Sequence, residues 1–262
     1  LIDAVPLIFN TLSGDPAICA DALTEPRVLD MLALSGKCRE AILHWDRIQG
    51  PPRPENARVA GIPVYESTFV DRFLASAHPI TPIVWYGPVI AYALYAAAQD
   101  PAQVFAVALL LYGGGVLLWT LLEYLLHRFL FHKTPPRSFA TKKFLFLLHG
   151  YHHEFPNHKT RLVAPPLMSW LIGGLIALLC YLILGSPYWL VVFAGITSGY
   201  VAYDWIHYYT HHFRPRTRLG RFIKRHHLRH HYKHPDANFG ISSPLWDFVF
   251  GTFRDEKAAG PG

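Results

Sequence analysis

The sequence predicts an all-α integral membrane fold: four transmembrane helices in two hairpins, joined to a helical cap on the cytosolic side. Two observations predict it. Hydrophobic residues make up 52% of the 262 and charged residues only 16%, where a soluble domain carries about a quarter. Four long runs are free of Asp, Glu, Lys and Arg, and the basic residues cluster between and after the two pairs.

Residues 1–62 read as a soluble N-terminal extension. Short helices are expected at 26–34 and 37–48, with Gly36 ending the first; Gly50-Pro51-Pro52 and Pro54 then break the pattern. No secretory signal is read in residues 1–20, which lack a basic start followed by an apolar run. Cys19, Cys38 and Cys180 are too few and too scattered for a disulfide framework or a thiolate metal site.

The apolar runs cover residues 79–99, 101–122, 167–184 and 187–203. A hydrocarbon core of about 30 Å needs roughly 20 apolar residues of helix. The first two runs reach that length, and the last two reach it by extending into polar flanks. Internal Pro88, Gly113-Gly114-Gly115 and Gly173-Gly174 are tolerated in lipid-embedded helices. Turns at Gln99-Asp100-Pro101 and Gly185-Ser186-Pro187 pair the runs into hairpins, and neither turn carries a Lys or Arg. The segment between the hairpins carries Lys133, Arg137, Lys142, Lys143, Lys159 and Arg161, and ten more basic residues follow Tyr203. The positive-inside rule places the N-terminus, this segment and the tail in the cytosol. The basic excess thus orients the chain in a bilayer; no nucleic-acid partner is expected.

Sixteen histidines are the anomaly of the composition. Four groups stand out: His127 and His132; His149, His152 and His153; His207 and His211; His227, His230 and His231. On a helix, residues i, i+3 and i+4 share a face, so each HxxHH motif presents three imidazoles together. The i, i+5 spacing of the first group suits a loosened helix end. Ten imidazoles suffice for two metal ions with about five ligands each, and imidazole suits iron and zinc alike. Glu123, four residues before His127, and Asp204, three before His207, are candidates to accept an imidazole N–H and fix its tautomer. His44 and His78 are isolated and read as structural. His158, His212, His226 and His234 neighbour the groups but lie outside the repeated spacing. Tyr203, Trp205, Tyr208 and Tyr209 surround the third group and either line its mouth or form an interfacial aromatic belt. Arg161 is expected to face lipid headgroups.

The stretches LEYLLHRFLFH (122–132), LHGYHHEFPNHKTRLVAPP (148–166), GYVAYDWIHYYTHH (199–212) and HLRHHYKHPDANFGISSPLWDFVFGT (227–252) resemble the fatty acid 2-hydroxylases, the sphingolipid α-hydroxylase branch of the fatty acid hydroxylase superfamily. The resemblance covers residues 63–253 and leaves 254–262 as a tail. It implies ligand roles for the ten grouped histidines at a centre of two iron ions, with zinc able to occupy the sites in purified protein. It implies O2-dependent hydroxylation at C2 of a long acyl chain, free or in ceramide, with electrons from cytochrome b5 or another donor. Residues 1–78 hold no paired haem histidines, so that donor is expected in trans or upstream of Leu1. The expected location is the endoplasmic reticulum membrane in a eukaryote or the inner membrane in a bacterium, with the metals on the cytosolic side. The alternatives are a related oxygenase acting on sterol or carotenoid, a metal-binding transporter, and an inactive zinc-stabilised scaffold. Transport favours ionisable groups at the bilayer midplane, which these runs lack.

Overall fold

The computed structural model describes residues 33–45 and 61–255. The expected helix at 26–34 lies almost wholly outside them, as do Cys19 and the last seven residues of the tail. Among the described residues ten helices follow in order: α1 Gly36–Leu43, α2 Thr68–Leu74, α3 Thr81–Ala98, α4 Phe105–Leu125, α5 Phe139–Leu145, α6 Tyr151–Glu154, α7 Pro166–Leu184, α8 Trp189–His212, α9 Arg218–Tyr232 and α10 Leu245–Val249. Two π-helical stretches join the set: Leu126–Lys133 continues α4, and Phe146–Gly150 links α5 to α6. Among the described residues the only β pairing is a single bridge between Leu34 and Tyr65.

Gly36 opens α1 rather than ending a helix. The cause is Ser35, whose side chain accepts the Cys38 N–H and so caps the first turn. The helix then stops at Leu43, short of the expected 48.

Among the described residues three helices are long and apolar enough to cross a membrane, where four were expected: Phe105–Lys133, Pro166–Leu184 and Trp189–His212. The fourth, α3, is 18 residues long. Pro82, Pro88, Trp85 and three tyrosines dilute its apolar character. Along α7, Leu171, Leu175, Leu182 and Ile183 are more than half exposed, a continuous apolar surface that suits lipid.

α4 and α8 form the heart of the bundle. A Cβ on Gly195 would lie 2.3 Å from the Tyr112 carbonyl oxygen, and one on Gly115 would lie 2.5 Å from that of Val192. Side chains are absent where the two backbones touch, which is how helices pack closely when no water drives them together. At about 1.5 Å per residue, the 24 residues of α8 span about 36 Å, more than the hydrocarbon thickness. Its C-terminal turns, with His207 and His211, therefore reach the edge of the apolar layer.

A second core forms beside this bundle. Cys38, Ile42 and Trp45 pack with Val64, Leu145, Phe146, Tyr151 and Phe155. Part of the expected N-terminal extension is thus seated against the segment that carries His149, His152 and His153. Gly150 makes room for it, since a Cβ there would lie 2.7 Å from the Trp45 ring.

Candidate metal centre

The four histidine groups arrive on separate elements. His127 and His132 sit on the π-helical end of α4. A π turn closes its hydrogen bond between residues five apart, so the i, i+5 pair comes into register, with ring centroids 4.9 Å apart. His149 lies on the second π stretch, and His152 and His153 on the single turn of α6. His207 and His211 are one turn apart near the end of α8. His227, His230 and His231 lie on the buried face of α9, whose first turn Thr217 caps by accepting the Gly220 N–H at 3.0 Å.

The ten rings sort into two sets of five. His127, His132, His149, His153 and His230 form one; His152, His207, His211, His227 and His231 form the other. Within each set the converging nitrogens all lie within 4.8 Å of one another. Residues four apart stay together, as His149 with His153 and His227 with His231. The middle member of each HxxHH motif crosses to the other set. The sets adjoin: the His153 and His231 rings stack at 4.1 Å.

The Nε2 atoms turn inward. In the first set His149–His153 and His132–His230 are 3.0 and 3.1 Å apart. In the second, His152–His207, His152–His231, His211–His227 and His227–His231 span 2.8 to 3.1 Å. Metal–imidazole bonds of about 2.0–2.1 Å set at right angles bring neighbouring ligand nitrogens to about 3 Å. His127 Nε2 is buried with no hydrogen-bond partner among the described residues, a cost that a cation would remove. The donor sets therefore fit two metal ions.

Burial keeps these rings neutral, as metal binding requires. It pushes the pKa of His149, His152, His153, His227, His230 and His231 well below 6.5, and neighbouring imidazoles push in the same direction.

The surrounding carboxylates act differently from expectation. Glu123 is buried but does not meet His127. Its Oε1 accepts the N–H groups of Ile241 and Ser242 at 2.5 and 2.8 Å, and Oε2 accepts the Ser242 hydroxyl. Its contact with the site is indirect. The strap at 237–242 places the Phe239 carbonyl to accept the His127 Nδ1–H at 2.5 Å and the Ala237 carbonyl to accept that of His230 at 2.8 Å. Asp204 is buried one turn before His207 and shares a hydrogen bond with Tyr200; its Oδ2 has no partner among the described residues.

Asp247 escaped the sequence reading. It is fully buried and accepts from His226 Nε2 at 2.9 Å, Phe239 N at 2.8 Å, Gly240 N at 2.8 Å and Thr252 Oγ1 at 2.7 Å. Burial alone would raise its pKa, but these hydrogen bonds hold it below 3.8. The signal was present in the LWDFVFGT segment, where one acid stands among apolar residues, but spacing from the histidines gave no hint of it.

His44 and His78 are exposed, while His158, His212, His226 and His234 lie outside both sets. Of the four aromatics, Tyr203 approaches His207, at 5.8 Å between rings. Tyr208 lies against His212 with the rings tilted, and Trp205 and Tyr209 lie on the exposed side of α8. Arg161 does not face headgroups. Its largely buried guanidinium pairs with Asp71 at 2.5 Å and lies over the Tyr151 ring, because a buried cation needs a carboxylate partner.

Residues 112–252 match the fatty acid hydroxylase family. The chain is 38% identical over 201 residues to a dihydroceramide fatty acyl 2-hydroxylase of Arabidopsis thaliana, covering 77% of this chain and 84% of that one. It is 38% identical over 212 residues to a ceramide very long chain fatty acid hydroxylase of Saccharomyces cerevisiae, covering 79% and 53%. It is 44% identical over 145 residues to the human fatty acid 2-hydroxylase, covering 55% of this chain and spanning 39% of the human protein's length. A solved structure described as full-length scs7p, with only the hydroxylase domain visible, superposes with a TM-score of 0.67 at 30% identity, covering 89% of this chain and 94% of that one.

Proposed function

The chain belongs to the fatty acid hydroxylase family, and from that premise we propose that it is a membrane oxygenase that hydroxylates C2 of a long acyl chain, carried by ceramide or dihydroceramide. One observation carries the reading: ten imidazoles, eight of them buried, converge in two adjoining sets of five, each spaced as ligands around one ion. The relatives' names, dihydroceramide fatty acyl 2-hydroxylase and ceramide very long chain fatty acid hydroxylase, support the substrate class.

His127, His132, His149, His153 and His230 hold one ion, and His152, His207, His211, His227 and His231 the other. We assign both as iron, with zinc able to replace it in purified protein. Bound there, the irons supply the redox chemistry with O2 that no side chain can perform. The overall change is balanced by converting an acyl C–H, O2, two electrons and two protons into C–OH and water. The electrons come from a cytochrome b5-type donor.

The chain's own part is to hold and shield. Backbone carbonyls at Ala237 and Phe239 orient the rings of His230 and His127. Burial excludes water from the reacting centre. The ends of α4 and α8 put that centre at the rim of the apolar layer, where an acyl chain arrives laterally, and Tyr203 is the aromatic best placed to line its approach.

Residues 63–253 form the hydroxylase unit, with residues 1–62 as an N-terminal extension, part of which braces it, and 254–262 as a tail. α3 joins the three long helices as a fourth span. The cap that closes the histidine sets, built from α5, α6, α9 and α10, lies in the cytosol, at the endoplasmic reticulum or at a bacterial inner membrane. The basic residues between and after the hairpins support this orientation.

The test is expression in cells whose ceramides lack 2-hydroxylation, followed by mass spectrometry of the acyl chains. The expected result is a 2-hydroxy acyl product that requires iron and an electron donor. No such product, with both supplied, defeats the proposal.

A further inference from the structure

The two sets of five imidazoles are supported unequally. In the first, three rings are anchored through the nitrogen that faces away from the centre. His127 Nδ1 donates to the Phe239 carbonyl, His230 Nδ1 donates to the Ala237 carbonyl, and His132 hydrogen-bonds the Pro235 backbone. Two of these acceptors, Ala237 and Phe239, belong to the 237–242 strap, and Pro235 lies just before it. In the second set, the Nδ1 atoms of His152, His207, His227 and His231 are buried with no hydrogen-bond partner among the described residues. Only His153 shares that condition in the first set.

The strap is itself fixed on both sides. Asp247 accepts the N–H groups of Phe239 and Gly240, and Glu123 accepts those of Ile241 and Ser242. Asn238 adds a two-way link to the backbone of Arg254 at 2.7 and 3.1 Å. The Phe239 ring packs on His127, His132 and His230, with centroids 5.5 to 5.8 Å away. None of these contacts reaches the second set directly.

A hydrogen bond to the remote nitrogen of a metal-bound histidine fixes its tautomer and raises its basicity, and losing such a partner costs about 10–100-fold in affinity. Resting on the metal centre proposed above, we infer that the two sites are inequivalent: the site of His127, His132, His149, His153 and His230 retains its ion, the other is labile, and Asp247 is the positioning residue that makes the difference through the 237–242 strap.

The experiment follows metal release from the full chain, purified in detergent with iron or zinc bound, after addition of excess EDTA. Wild-type protein is expected to lose one ion fast and one at least about tenfold more slowly. His227→Ala, which breaks the second set, should remove the fast phase and leave the slow one. Asp247→Asn should accelerate the slow phase by about 10–100-fold and leave the fast phase unchanged. A general loosening of the fold would move both phases. Where Asp247→Asn does not yield folded protein, Thr252→Val, which removes one donor to Asp247, should accelerate the slow phase alone to a smaller extent. A single release rate in wild type overturns the inference, as does equal acceleration of both phases by either variant. Protein that retains neither iron nor zinc defeats the metal centre itself, an outcome distinct from two ions leaving together.

Discussion

His230 and His152 illustrate how one short motif serves two positions. Each comes from an HxxHH run, yet His230 joins the first set and His152 the second. Replacing either with Ala should abolish hydroxylation. Metal analysis should show the first ion weakened in His230→Ala and the second in His152→Ala. Full activity in either variant would contradict the ligand assignment. The same rings set a pH dependence. Six of them, at 149, 152, 153, 227, 230 and 231, have pKa values held well below 6.5 by burial. In the unfolded chain they take up protons near 6.5, while in the folded chain they remain neutral far lower. The metal-free fold should therefore keep its full stability above about pH 6.5. Below that it should lose about 1.4 kcal/mol per pH unit for each ring so affected. Metal affinity should fall over the same range, because protons compete for the same nitrogens. Melting curves of metal-free protein from pH 8 to 5 check this, and a flat profile would refute it.

The elements that present these rings were only partly legible. HxxHH spacing announced a shared helical face, and α9 conforms over its 15 residues. The five-residue step from His127 to His132 marked a departure from α geometry, which the structure resolves as π-helix. Periodicity could not reveal Glu123 and Asp247 as anchors of the strap, because their partners are backbone groups about 120 and 8 residues away. Nor could it show the brace formed by α1 and Trp45, since a short helix that buries only Cys38 and Ile42 carries no mark of what it will pack against. That brace has a sharp consequence at Gly150. Any larger residue there must displace the Trp45 ring, so Gly150→Leu should destabilise the fold by about 1–3 kcal/mol and disturb His149 and His152. Trp45→Ala should relieve the clash when combined with it. The double variant would then melt higher than additivity predicts; strict additivity of the two losses would show that the ring does not bear on Gly150. At the α4–α8 crossing, Gly195→Leu should be worse, because the obstacle there is the Tyr112 carbonyl, which cannot rotate away.

At the scale of the whole chain, the question is how many times it crosses the bilayer. Apolar length identified α4, α7 and α8, and these three suffice in length and apolarity. Three crossings alone would gather the histidine segments on one side, but would leave the chain before α4 on the other. His127 and His132 end one span, and His207 and His211 end another, yet all four meet the rings of α6 and α9 in one centre. α4 must therefore deliver its C-terminus to the same side as α8, with α7 running the opposite way between them. That arrangement fixes the turn at Gly185–Tyr188 on the far side. It also puts the N-terminus of α4 there, and the proposed fourth span, α3, is what would return the preceding chain to the near side. The brace supports that proposal: Trp45 packs beside Phe146 and Gly150, next to the metal-binding rings. Single cysteines placed at Ala102 and Ser186 should therefore react with an impermeant maleimide from the face opposite to one placed at Lys133 or Lys233. Labelling of all four positions from one face would break the hairpin scheme, and with it the route by which four distant histidine groups reach a common centre.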